Sequence, residues 1–391
     1  MESEQFDIII YGASGYTGKL VTQYMLEQYG NNDEVSWAIA GRNATKLEAV
    51  KTELGIADRV PIIVADSDDN NAIEAMVVST KVVLTTVGPY QLYGNTLIDN
   101  CVKHGKDYVD LCGEPTWMRQ KIDAYHDKAH ATGARIVFSC GFDSIPFDLG
   151  VFFIQEHAQQ FSGKPFPRVK CRVRAMNGKF SGGTAASLQA TMRAAMQDKT
   201  LLGYLRDPFS LAGDFTGPEQ PPADKPYLDE SLNSWAAPFI MATINTKNIH
   251  RTNALLDHLY GKDFVYDEMI LTGPGEQGKA VANFVANDKS LSGDSAPKPG
   301  EGPTKEEREN GSYDIMFIAE NGDKQYIASV SAELDPGYGS TSRMIAESAL
   351  CLAKDNLATL GGVYTPAPAM GFALIERLKH NAGLRFTIEK D

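Results

Sequence analysis

The apolar run Ile8-Ile9-Ile10-Tyr11 leads directly into Gly12-Ala13-Ser14-Gly15-Tyr16-Thr17-Gly18, and Lys19-Leu20-Val21 follows. Crowded β-branched residues, then glycine punctuation, then a helical pattern define a buried strand, a tight turn and the start of a helix. The glycines fall at Gly-x-x-Gly-x-x-Gly spacing, a variant of the dinucleotide-binding fingerprint. In that reading Gly12 turns sharply after the strand. Gly15, lacking a Cβ, lets a pyrophosphate approach the backbone, and Gly18 lets the helix pack close to the sheet. Free N–H groups and the positive end of the helix face the phosphates, with the hydroxyls of Ser14 and Thr17 beside them and Tyr16 among the contacts. The alternative is a turn without a ligand. A motif that follows an N-terminal strand and opens a βαβ unit argues against it.

The second strand selects the nucleotide. An NAD site places an acid at its end for the ribose 2′-hydroxyl, whereas an NADP site has an arginine nearby for the 2′-phosphate. Here the strand ends Ala38-Ile39-Ala40-Gly41-Arg42-Asn43, with no acid. Arg42 is placed to grip a phosphate through its planar fork, with Asn43 and Lys46 assisting. The expected cofactor is therefore NADP(H); the competing role for Arg42 is a solvated residue at a helix start. Other strand ends line the same crevice, since ligands sit at the carboxyl edge of such sheets. They bring Asp66, then Thr86, Val87, Gly88 and Pro89, then Cys112 and Gly113, as further cofactor contacts. Tyr90 and Tyr93 follow the fourth strand and are the candidate catalytic proton donors, against a competing role in packing under the loop.

Strand-like runs at 6–11, 35–40, 62–65, 82–87, 108–111 and 135–139 alternate with helical patterns at 19–28, 45–54, 94–104 and 116–132. Strands joined by helical crossovers predict an α/β, Rossmann-type, doubly wound parallel sheet over 1–145. Beyond Pro146 strand signals lengthen, at 169–176, 239–245, 264–272, 313–320 and 325–334, with a helix at 184–196. This predicts a second α+β domain over 146–344, carrying a mainly antiparallel sheet and serving substrate binding or dimerisation. Residues 206–238 and 287–311 read as long irregular loops. Helices at 343–357 and 370–380 and a strand at 384–388 close the chain, and 345–391 is the segment that would complete the first domain.

The formal net charge of −13 opposes a phosphate backbone and excludes nucleic acid as an expected partner. Five scattered cysteines form no Cys-x-x-Cys pair, which favours reduced thiols and a cytoplasmic setting. The acidic start Met1-Glu2-Ser3-Glu4 does not read as a signal peptide, and the apolar runs are too short to span a bilayer. His126 and His130 share a helical face but have no third partner in sequence, so no metal is expected. Cys112 and Cys140 read as small buried hydrophobes. Asp143 and Ser144 read as caps of a helix opening near Pro146. Arg343, and the helix start Ser181-Gly182-Gly183-Thr184, are candidates for holding an acidic group.

Several blocks together carry a resemblance. They are the glycine turn at 12–18, Ala40-Gly41-Arg42-Asn43, Thr86-Val87-Gly88-Pro89-Tyr90-Gln91-Leu92-Tyr93-Gly94, Tyr108-Val109-Asp110-Leu111-Cys112-Gly113-Glu114 and Cys140-Gly141-Phe142-Asp143-Ser144-Ile145-Pro146. The blocks from Ser181 to Ser187, from Asp335 to Met344 and from Gly361 to Pro366 extend it along nearly the whole chain. The sequence resembles the saccharopine dehydrogenase-like oxidoreductases, in the branch of the trans-acting enoyl reductases. The resemblance implies an NAD(P)H-dependent reductase, acting on a C=C bond of a lipid or polyketide intermediate. It also implies a small-molecule or lipid-like substrate, with peripheral membrane association and a homodimer as further expectations. Two alternatives stand beside it: a saccharopine reductase-like amino-acid dehydrogenase, and a non-catalytic NADP(H)-binding regulatory protein.

Overall fold

Strand β1 (Phe6–Tyr11) lies in the interior of a parallel sheet, buried on both faces. Ile8 and Ile10 join one apolar cluster, whereas Ile9 and Tyr11 join the other, as the two-residue repeat of a strand requires. The computed structural model describes residues 4–30, 34–56, 60–179, 182–288 and 302–390. From β1 the chain runs through α1 (Tyr16–Tyr29), β2 (Trp37–Gly41), α2 (Ala44–Leu54), β3 (Ile62–Val64) and α3 (Asn70–Val78). It continues through β4 (Thr80–Thr85), α4 (Tyr90–Tyr93), α5 (Asn95–His104), β5 (Asp107–Val109), α6 (Pro115–Thr132), β6 (Arg135–Val137) and α7 (Ile145–Ser162). Asn43 caps α2 and Asp69 caps α3 through side-chain oxygens that accept backbone N–H groups.

The second half comprises β7 (Arg168–Asn177), α8 (Gly182–Gln197), α9 (Leu201–Arg206), β8 (Tyr227–Asp229), β9 (Ser234–Pro238) and α10 (Ala242–Leu255). Then follow β10 (Val265–Gly273), α11 (Gly275–Ala286), α12 (Lys305–Glu309), β11 (Ser312–Asn321) and β12 (Lys324–Ala332). The chain ends with α13 (Thr341–Lys354), β13 (Gly362–Tyr364), α14 (Pro366–Arg377) and β14 (Arg385–Lys390). The first sheet has the order β13-β6-β5-β4-β1-β2-β3 and every pairing in it is parallel. The second has the order β14-β12-β11-β7-β10-β9-β8; only β7 and β10 pair in parallel. The architecture is the expected α/β one: a Rossmann-type sheet and a mostly antiparallel companion.

The C-terminal segment 345–390 serves both sheets. β13 extends the parallel sheet beside β6, while β14 pairs with β12 in the second. Helix α13 packs under β1, β4 and β5, and α14 packs on α7 and α13. The strand expected at 239–245 is not there. Strand β9 stops at Pro238, and α10 begins at Ala242. The apolar run Phe239-Ile240-Met241 carries no period that separates strand from helix. Helix α10 buries Asn245, Lys247, Asn248, His250 and Arg251 instead of an apolar stripe, which removes the usual helical signal. Among the described residues no helix is long and apolar enough to cross a membrane.

Candidate active site

A cleft of about 770 Å³ opens over the carboxyl edge of the parallel sheet. Its floor is the set of turns after β1, β2, β4, β5 and β6, and its roof is α8, the β9–α10 junction and the turn at Pro336-Gly337-Tyr338. The glycine turn is shaped by backbone contact. Gly12 has φ +95, and a Cβ there would lie 2.7 Å from Val87 Cγ2. A Cβ on Gly18 would lie 2.1 Å from the Gly12 carbonyl oxygen, so α1 can sit this close to β1 only with glycine. At Gly15 a Cβ would meet only the Gly12 oxygen, at 3.2 Å, so this side of the turn is open. Helix α1 has no side-chain cap and no acidic residue in its first turn. Its leading N–H groups and positive end are thus free of carboxylates on the side facing the cleft.

Of the cofactor contacts read from sequence, Gly12, Ser14, Gly15, Tyr16, Thr17, Gly18, Arg42, Thr86, Val87, Gly88, Pro89 and Gly113 line the cleft. Asn43, Lys46, Asp66 and Cys112 do not. The Asn43 side chain accepts the Lys46 backbone N–H and caps α2, and Asp66 accepts the Asp68 N–H. Ser67 lines the cleft in that turn. Cys112 is buried beneath the floor, where desolvation pushes its thiol well above the usual range; Cys140 is shifted the same way. Tyr16 also acts as a tether. Its hydroxyl donates to the Pro303 carbonyl and accepts from Arg308 Nη1 at 2.6 Å, tying the turn to the segment before β11.

Tyr90 and Tyr93 both line the cleft, but their hydroxyls differ. The Tyr90 hydroxyl is buried, donates to the Thr85 carbonyl at 3.3 Å and accepts the Leu111 N–H at 3.0 Å. Burial raises its pKa well above the phenol range. This is the packing role set against catalysis in the sequence reading. Tyr93 is 39% exposed at the cleft rim.

The turns are held by carboxylates that sequence reading did not assign. Asp110, fully buried after β5, accepts from Cys112 N at 3.0 Å, Ser139 N at 2.9 Å and the Tyr108 hydroxyl at 2.9 Å. It clasps the turns after β5 and β6 together, and burial pushes its carboxyl up to about 7. Glu114, also buried, accepts the N–H groups of Tyr90 and Gln91 at 2.9 Å each and the Ser187 hydroxyl at 2.8 Å. It joins the β4 turn to α8 in the roof. The available signal was an acid placed just past a β-rich run at a strand's carboxyl end, at Asp110 and again at Glu114.

Asp143, read from sequence as a cap, lines the cleft. Ser144 is the N-cap residue of α7 but makes no side-chain capping bond; its hydroxyl accepts from Asn248 Nδ2 at 2.8 Å. Arg343 lies away from the cleft, on α13 against the Tyr24 ring. In the Ser181–Thr184 helix start, Ser181 lies outside the described residues, while Gly183 and Thr184 line the cleft. His126 Nδ1 accepts the Val363 N–H and so anchors β13.

Residues 8–137 match the family model described as saccharopine dehydrogenase NADP binding domain. Over 403 residues, 96% of this chain and 95% of the relative, the sequence is 38% identical to a Mycobacterium tuberculosis protein provisionally named trans-acting enoyl reductase. It is 36% identical to the trans-acting enoyl reductase of Mycobacterium ulcerans, with 96% of each chain covered. The chain belongs to the saccharopine dehydrogenase-like oxidoreductase family. Two solved structures share its fold at 11% identity. Apo saccharopine dehydrogenase (L-Glu forming) of Saccharomyces cerevisiae has a TM-score of 0.50, covering 98% of this chain and 99% of that one. Homospermidine synthase of Legionella pneumophila, solved with NAD, has a TM-score of 0.54, covering 98% and 92%.

As a saccharopine dehydrogenase-like oxidoreductase, the protein uses NADP(H). The cleft fits that cofactor: an open glycine cradle at Gly15, an acid-free helix start, and the exposed Arg42 after β2 with no carboxylate paired to it among the described residues. Bound there, NADPH supplies hydride.

Proposed function

We propose that this oxidoreductase reduces a carbon–carbon double bond conjugated to an acyl carbonyl, on a lipid-like or polyketide-like substrate. The observation that carries the reading is the composition of the cleft beyond the glycine turn. Leu188, Met192, Leu205, Ile240, Met241 and Ile244 line its roof, and the only cations among the described lining residues are Arg42 and Lys179. Lys179 is paired with Glu307 Oε1 at 2.5 Å. A chamber of this kind favours an apolar acyl chain and offers little to the carboxylates of an amino-acid substrate. The name of the mycobacterial relatives, enoyl reductase, agrees with that chemistry. Residues 1–145 would carry the cofactor and 146–344 the substrate, with Tyr93 at the rim beside the reacting group.

The test is NADPH oxidation by purified protein with medium- and long-chain α,β-unsaturated acyl thioesters, with the saturated product identified by mass spectrometry. Saturation of the double bond supports the reading. Turnover confined to a keto acid plus an amine would replace it with an amino-acid dehydrogenase. Tight NADPH binding without turnover of any acceptor would replace it with a regulatory role. The reading also sets the protein in the cytoplasm, where five buried thiols stay reduced. Peripheral membrane binding and a homodimer belong to the same proposal; vesicle flotation and sedimentation decide them.

A further inference from the structure

A reduction by hydride leaves an electron pair that must receive a proton, and the cleft has to supply it. The strand order locates where. β2, with Arg42, lies on one side of β1, while β4, β5 and β6 lie on the other. A dinucleotide with its 2′-phosphate at Arg42 and its pyrophosphate at Gly15 therefore has its reactive end on the β4–β6 side. Asp143 is on the turn after β6, on that side, and lines the cleft together with Phe142, Met241 and Ile244.

The buried carboxyl groups nearby all have protein partners. Asp110 and Glu114 hold turns, Asp148 accepts the Thr252 hydroxyl and the Ala367 N–H, and Glu268 accepts Asn245 Nδ2 and the Tyr266 hydroxyl. The Asp143 carboxyl has no hydrogen-bond partner among the described residues. Both Tyr90 hydroxyl positions are occupied, so that phenol does not compete for the role.

We propose that Asp143 is the catalytic acid of the cleft, the residue whose carboxyl O–H completes the reduction of the substrate. The proposal rests on the reductase reading above, but not on the acceptor being an enoyl group. Hydride added to one atom of a double bond leaves the bond's electron pair on its partner atom. The Asp143 O–H bond breaks, its proton forms the new bond to that atom, and Asp143 keeps the O–H pair as a carboxylate until solvent reprotonates it. NADPH is the two-electron reductant and leaves as NADP⁺. The surroundings keep the acid form available: burial pushes the Asp143 carboxyl up to about 7.

Asp143→Asn and Asp143→Glu, made in the full chain, test this with three readouts. NADPH affinity, followed by fluorescence, stays within about threefold of wild type in both variants; its loss in Asp143→Asn overturns the proposal, because the residue then holds the cofactor. An infrared difference spectrum of wild type minus Asp143→Asn at about pH 6 contains a protonated-carboxyl stretch, and its absence overturns the proposal. Turnover is read with the best acceptor from enoyl thioesters, ketones and imines. Asp143→Asn loses about 10²–10⁴-fold in kcat with KM little changed, and Asp143→Glu recovers part of it. Wild-type kcat in Asp143→Asn overturns the proposal alone. A wild type that reduces imines but no enoyl thioester overturns the enoyl reading and leaves Asp143 to be judged on the imine.

Discussion

Replacing Arg42 by alanine isolates the preference for a 2′-phosphate. Arg42 lies one residue past β2, exposed, lining the cleft and followed by the residue that caps α2. Removing its side chain beyond Cβ therefore disturbs neither the strand nor the cap. A hydrogen bond to a charged group contributes about 1.5–3 kcal/mol. At about 1.4 kcal/mol per tenfold, the loss corresponds to a roughly 10- to 150-fold weaker Kd for NADPH. Solvent exposure favours the lower part of that range, and added salt should narrow the gap between wild type and variant. NADH lacks the phosphate, so its Kd should move by less than about threefold. Arg42→Lys should fall between, since a lysine keeps the charge but not the planar fork. The assay is a fluorescence titration of both nucleotides with all three proteins at two ionic strengths. Equal weakening of NADPH and NADH, or no weakening of NADPH, would refute the assignment of Arg42 to the 2′-phosphate.

Gly18→Ala places a methyl 2.1 Å from the Gly12 carbonyl oxygen, a backbone atom that no rotamer change can move. We expect a loss of about 1–3 kcal/mol in stability and of NADPH-dependent stabilisation, read by thermal melts with and without NADPH; a cofactor-induced shift equal to wild type would contradict the cradle. Gly150→Ala drives a methyl to 2.3 Å from Phe317 Cζ, where α7 crosses β11, and should lower Tm. Adding Phe317→Leu should recover part of that loss, and additive losses in the double variant would argue against the contact. Glu268 provides a probe of pH linkage. Burial raises its carboxyl from 4.5 to about 8, so the folded chain holds a proton that the unfolded chain has released across that interval. Its contribution to stability therefore declines as pH rises from about 4.5 to 8. Glu268→Gln removes the group, so its Tm should fall less than wild type between about pH 5 and 9; parallel profiles would show that Glu268 is not the group responsible.

The parallel sheet was legible because its signals are local. Strands β1 and β2 are short apolar runs, and the glycines after β1 and the arginine after β2 are adjacent in sequence to the strands that position them. The organisation beneath the cleft was not legible for the opposite reason. Glu114 joins the N–H groups of Tyr90 and Gln91 to Ser187, 73 residues away on a helix in the other half of the chain, and nothing near Glu114 announces those partners. Helix α10 shows the same limit more sharply. Its buried face is polar, with Asn245 Nδ2 donating to Glu268, Asn248 Nδ2 to Ser144, and Arg251 to the carbonyls of Leu211 and Val363. A helix stabilised by polar partners from distant elements carries no apolar period, so the only local signal was the run Phe239-Ile240-Met241, which reads as a strand. The same reasoning explains why Asp143 reads as a cap from sequence. An acid before Ser144 and Pro146 fits a helix start on local grounds, and only the closure of the two sheets over it puts its carboxyl in the cleft without a partner among the described residues. Residues whose role depends on what they lack, rather than on what surrounds them in sequence, become visible only once the distant elements are in place.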